Sequence, residues 1–204
     1  MKNEMIKNTF ILTMITVIAG VLLGFVYEIT KEPIAAAKEA AKQKAFIEVF
    51  SDAESFEAYE EFDIEKASTV ISDAGFPNNT ISEVVVAKGA SENLGYVATV
   101  VSHDGYGGDI TITMGVTNEG LLNGISVLSI SETAGLGMKA ADAEFTNKFA
   151  EKNIPVFSVT KTGATDESQI DAISGATITT TAMTNAVNAG LAYISFISGG
   201  GVNE

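Results

Sequence analysis

The chain has no cysteine, no tryptophan and a single histidine in 204 residues. Without thiols there is no disulfide, no thiolate nucleophile, no cysteine-bound zinc and no cysteine-ligated iron–sulfur cluster. One histidine, His103, cannot build a His-rich metal site or a bis-histidine haem, and beside Asp104 and Gly105 it reads as a loop residue. No metal site is expected. Basic residues are also scarce, 12 Lys and Arg against 26 Asp and Glu, for a formal net charge of −14. That balance argues against nucleic acid as a partner, which calls for a basic patch.

What is abundant near the N-terminus is apolar side chain. Residues 10–27 carry no charge, and about 18 such residues just span a bilayer core as a helix. Phe25 and Tyr27 suit one interface. A cleaved signal peptide would have a shorter core followed closely by a small-residue site. Here Ala35-Ala36-Ala37 comes only after Glu28, Lys31, Glu32 and Pro33, so an uncleaved anchor over 1–30 is expected. Lys2 and Lys7 precede it, while Lys31, Lys38, Lys42 and Lys44 follow, interleaved with Glu28, Glu32, Glu39 and Glu48. A raw lysine count favours a cytoplasmic C-terminal side, but long domains translocate largely regardless of charge.

Pro33 suits the first turn of a second helix. Residues 34–50 are rich in helix formers, with Ala37, Ala41, Ala45 and Val49 in four-residue steps. They predict a stalk within a connector over 31–66. The acidic run 54–65 reads as solvated surface.

From 67 to 131 the pattern changes. Runs at 81–87, 94–101, 109–116 and 121–130 are rich in Val, Ile and Thr, and turn residues separate them. They predict antiparallel strands and hairpins. Met138, Ala141, Phe145 and Phe149 space out a further helix, and 154–160 returns to strand character. Met183, Ala186, Val187, Gly190, Leu191, Ile194 and Ile197 draw the apolar face of a last helix. The fold class is α+β: an anchor helix and a stalk, then one domain over 67–204 with an antiparallel sheet and flanking helices.

Directly before that last face stands Asp171-Ala-Ile-Ser174-Gly175-Ala176-Thr177-Ile178-Thr179. Hydroxyls and small residues at a helix entrance serve as plain caps. The same entrance, with its unpaired N–H groups and positive dipole end, also suits a phosphate. The stretch resembles the flavinylation motif of the FMN-binding domain family, found in the G-type subunit of Rnf complexes and in the C-type subunit of the sodium-pumping NADH:quinone reductase. The resemblance implies covalent FMN on Thr179 through a phosphoester. Thr177, Thr180 and Thr181 are neighbours that sequence alone confuses with it. Gly105-Tyr106-Gly107-Gly108 and Glu132-Thr133-Ala134-Gly135-Leu136-Gly137 resemble two further segments of the same family, with Ala134 where the family often has proline.

By the same resemblance, Ser174, Gly175, Ala176 and Thr177 belong to the cofactor site. Tyr106 and Leu136 would border the isoalloxazine, Glu132 and Thr133 would meet its polar edge, and Lys161 would balance anionic charge. Asp171 would serve recognition by a flavin transferase. The family implies an electron-relay subunit of a ferredoxin:NAD oxidoreductase complex coupled to Na+ or H+ translocation. Such a subunit has no independent catalytic activity. Its partners are other subunits, and the domain lies outside the cytoplasmic membrane on a single-pass anchor. The size and single anchor favour the Rnf G-type subunit over its quinone-reductase counterpart. A pilin-like structural protein would need a Glu four residues after its processed Phe, where this chain has Met14 after Phe10.

Overall fold

The computed structural model describes residues 2–90 and 92–199; the expected domain limits at 1 and 204 lie outside them. The chain divides into two compact units, Met1–Ala41 and Lys42–Glu204. The first unit is helical throughout its described length, as part of α1 (Lys2–Val49). Its most apolar stretch has mean hydropathy 2.4 with none of it buried, so it is long and apolar enough to cross a membrane. Thr9 and Thr13 donate their hydroxyls to Met5 O and Thr9 O, each at 2.9 Å. Back-bonding of this kind satisfies a hydroxyl within an apolar helix. Pro33 does not open a second helix; it lies inside α1. Its missing N–H costs one helical bond, and the good helix formers on either side carry the helix through.

The second unit begins at Lys42, so residues 42–66 give it the last turns of α1, β1 (Ser55–Ala58) and the start of α2 (Ile64–Asp73). The acidic run 54–65 is surface, with all its carboxylates exposed, and it also contains an edge strand and a helix start. Asp63 caps α2 by accepting from Glu65 N at 2.8 Å and Lys66 N at 3.1 Å. Then come β2 (Asn79–Lys88), β3 (Asn93–Ser102), β4 (Ile110–Thr117) and β5 (Leu122–Ser129). With β1 they form one antiparallel sheet whose spatial order is the chain order.

Alternation along these strands sends neighbours to opposite faces. Val84, Ala98, Val100, Ile112 and Met114 join the main core, which α4 (Thr177–Ile197) fills with Met183, Ala186, Val187 and Leu191. Val85, Ala87 and Val97 face the other way, against Phe46, Val49 and Phe50. Of the four-step stripe on the stalk, Ala45 and Val49 are buried while Ala37 and Ala41 are exposed.

The expected helix over 138–149 is two short pieces, a 3-10 turn at Gly137–Ala141 and α3 (Ala143–Thr146). Asp142 between them has ψ 146°, an extended conformation that interrupts the helix. The expected strand at 154–160 shortens to β6 (Ser158–Thr160), which pairs in parallel with β7 (Gln169–Asp171). Pro155 supplies no N–H for a ladder there.

Candidate functional site

Three connections meet at the N-terminal end of α4. They are the loop between β3 and β4, the segment from Ser131 to the 3-10 turn, and the turn from Ala172 into α4. Together they wall a cavity of about 510 Å³, within the range of small-molecule sites.

The turn into α4 is built by its own sequence. Gly175 has φ 76°, a left-handed conformation that favours glycine. Ala176 N donates to Ile173 O at 2.9 Å, closing the turn. The Thr180 hydroxyl then staples it, donating to Ala176 O at 2.9 Å and accepting from Ile173 N at 3.0 Å. The Thr184 hydroxyl donates to Thr180 O. These two threonines are spent on structure. The cap residue is Ala176, which brings no side-chain acceptor. Plain hydroxyl capping is therefore not what the motif does here. The first-turn N–H groups and the dipole end lie beside the cavity instead.

Thr179 differs from its neighbours. Its residue is 2% exposed, yet it lines the cavity and its hydroxyl has no hydrogen-bond partner among the described residues. Thr177 also lines the cavity and is half-buried, whereas Thr181 is exposed and does not.

Opposite stand Glu132, Thr133, Leu136 and Gly137, with Tyr106 from the first loop. Glu132 is nearly buried, and its Oε1 accepts from Tyr106 N at 2.7 Å. That bond ties the glycine-rich loop to the segment after β5. Ile178 is 54% exposed and Leu136 42% exposed, so both offer apolar surface at the rim. Among the described residues no lysine or arginine lines the cavity.

Gly137 and Ile178 are the two lining residues not expected from the sequence. A Cβ at Gly137 would stand 2.7 Å from Thr179 Oγ1 and 2.8 Å from Glu132 Oε2. The signal was present, since Gly137 closes the quoted Glu-Thr-Ala-Gly-Leu-Gly segment. Gly137→Ala is expected to cost about 1–3 kcal/mol through overpacking. A lower denaturant midpoint at unchanged slope would register it; an unchanged midpoint would mean that the site is looser than this geometry.

The structure thus brings together Tyr106, Glu132, Thr133 and Leu136 with Gly175, Ala176, Thr177 and Thr179. It does not bring Ser174 or Lys161 to the cavity wall; both are exposed. Asp171 ends β7 and borders a different depression, with Lys148, Lys152 and Asp166. There the Ser168 hydroxyl, followed by its N–H, holds Asp166 below the usual carboxylate range.

The FMN-binding domain family matches residues 105–192, and the RnfG N-terminal region family matches 1–49. The G subunit of the Na(+)-translocating ferredoxin:NAD(+) oxidoreductase complex of Acetobacterium woodii is 32% identical over 187 residues, covering 89% of this chain and 87% of that one. The G subunit of the proton-translocating complex of Clostridium ljungdahlii is 29% identical over 199 residues, covering 98% and 96%. Among solved structures, Shewanella oneidensis NqrC is similar over 56% of this chain and 57% of its own, at 19% identity and a TM-score of 0.47.

Proposed function

The chain belongs to the RnfG family, the G subunits of ion-translocating ferredoxin:NAD(+) oxidoreductase complexes, and on that premise we propose that it relays electrons through FMN esterified to Thr179. The observation that carries the assignment is Thr179, a residue 2% exposed at the start of α4 that lines the cavity and whose hydroxyl has no hydrogen-bond partner among the described residues. A phosphate there meets first-turn N–H groups and the positive end of the helix dipole, which takes over the role expected of Lys161. Bound FMN would supply the redox chemistry, and the chain its position and electrostatic setting. Leu136 and Ile178 give the flavin an apolar border, and the Tyr106–Glu132 bond fixes the loop beside it. The relay belongs to a membrane complex, whose other subunits are its partners, and the chain alone performs no reaction. A flavin transferase installs the cofactor, with Asp171 on the face it reads. We assign 1–30 to the anchor, 31–66 to a connector whose part from Lys42 onward packs into the second unit, and 67–204 to the covalent FMN-binding domain.

Intact mass of the full chain, purified from membranes and denatured, tests the reading. An increment of one FMN phosphodiester is expected, and the bare polypeptide mass would overturn it.

The domain lies on the extracytoplasmic side. Cysteine at exposed Ser51 is expected to react with an impermeant thiol reagent in intact cells, a clean readout because the native chain has no cysteine. Reaction only after lysis would reverse the orientation.

A further inference from the structure

We propose that Glu132 is the proton acceptor for the Thr179 hydroxyl when the phosphoester forms. The inference rests on the assignment of Thr179 as the FMN acceptor and extends it to the step that builds the site.

A threonine hydroxyl is a weak nucleophile at neutral pH and needs a base beside it. The cavity offers few candidates. Of its lining residues only Tyr106 and Glu132 carry titratable side chains; no lysine or histidine is among them. Tyr106 is 71% exposed, so its side chain faces mainly solvent. Glu132 is nearly buried, and its two oxygens have separate tasks. Oε1 is engaged by Tyr106 N at 2.7 Å. Oε2 is the free oxygen, and it lies on the Thr179 side. The point where a Gly137 Cβ would stand is 2.8 Å from Glu132 Oε2 and 2.7 Å from Thr179 Oγ1. The missing side chain at 137 is thus a gap shared by the two groups, and it leaves them room to close on each other. Thr180, whose hydroxyl already donates to Ala176 O and accepts from Ile173 N, has no such freedom.

The step balances with a flavin adenine dinucleotide as co-reactant. The Thr179 Oγ–H bond breaks and its proton passes to Glu132 Oε2. Thr179 Oγ forms a bond to the flavin-side phosphorus. The bond from that phosphorus to the bridging oxygen breaks, and adenosine monophosphate leaves with the electron pair. No electrons are gained or lost, and the proton then passes from Glu132 to solvent.

The test follows loading of the full chain in detergent by intact mass, with purified flavin transferase and the dinucleotide. Glu132→Gln keeps an oxygen that can accept from Tyr106 N but cannot take the proton. Its loading rate is expected to fall by about 10²-fold or more, with the melting midpoint unchanged. Its rate is also expected to climb with pH across the alkaline range, as hydroxide takes over, while the wild-type rate stays flatter. Glu132→Asp, which retains a carboxylate, recovers part of the rate. Loading of Glu132→Gln at the wild-type rate overturns the proposal. So does a loss of the same size at every pH, which would make Glu132 a positioning residue only. If the wild-type chain takes no covalent flavin, or takes it with Thr179→Val equally well, it is the Thr179 assignment that fails, and this proposal with it.

Discussion

Thr179→Val is expected to leave the protein with no flavin that survives denaturation. Valine keeps the β-branched shape and removes a cavity-lining hydroxyl that has no hydrogen-bond partner among the described residues. Since that hydroxyl makes no hydrogen bond, its loss strands no donor or acceptor. The stability cost is expected to stay below about 1 kcal/mol, where hydrogen-bond deletions begin. Neighbouring threonines supply the contrast. Thr181→Val touches an exposed side chain and is expected to load normally. Thr180→Val orphans Ile173 N, at a cost of about 1–3 kcal/mol, yet retains the covalent flavin. In-gel flavin fluorescence after denaturation reads all three. Fluorescence persisting in Thr179→Val would move the ester to another hydroxyl, with Thr177 the first to test because it shares the cavity.

Long elements with strong alternation were legible in the chain. The four predicted strands at 81–87, 94–101, 109–116 and 121–130 agree with β2 to β5 to within two residues, because turn residues bound each run. Short elements were not. β1 has four residues and β6 and β7 three each, too few to display a period. The Asp63 cap of α2 was hidden in an acidic run that reads equally well as surface. The spacing of Met138, Ala141, Phe145 and Phe149 reflects real burial of Phe145 and Phe149, but a period cannot reveal an extended residue at 142. The candidate site was legible through resemblance of three glycine-bearing segments, and its wall draws on all three. Which hydroxyl stays free was not legible, since that depends on how the turn from Ile173 to Ala176 spends Thr180. Lys161, to which the resemblance gives a charge-balancing role, directly follows β6 and is exposed away from the cavity wall, a placement set by tertiary structure that its charge does not reveal.

Asn188→Leu is expected to be the most destabilising single change in the second unit that keeps side-chain size. Asn188 sits on the buried inner face of α4, one turn beyond Thr184, and is 3% exposed. Its amide makes a paired bond with one residue: Nδ2 donates to Phe157 O at 2.9 Å, and Oδ1 accepts from Phe157 N at 2.8 Å. Phe157 is itself buried, packed edge-on against Phe149 with centroids 5.3 Å apart. Leucine fills the volume but leaves two backbone groups dry and unpaired, at about 1–3 kcal/mol each. A loss of about 2–6 kcal/mol is a large share of the 5–15 kcal/mol typical of a domain. The effect reaches the site, because Phe157 leads into β6, β6 pairs with β7, and Ala172 N donates to Thr160 O at 2.8 Å just before the motif turn. Covalent loading should therefore fall along with the denaturant midpoint of the full chain, followed by circular dichroism since there is no tryptophan. Asn188→Asp separates the two bonds. Its carboxylate still accepts from Phe157 N but opposes Phe157 O, and it adds a buried charge. Burial and that carbonyl raise its folded pKa above the unfolded value. Stability is then greatest below the unfolded pKa and is lost as pH rises through the folded one, so Asn188→Asp should recover in acid as Asn188→Leu does not. Equal midpoints for wild type and Asn188→Leu would mean that the Asn188–Phe157 pair does not hold this segment to α4.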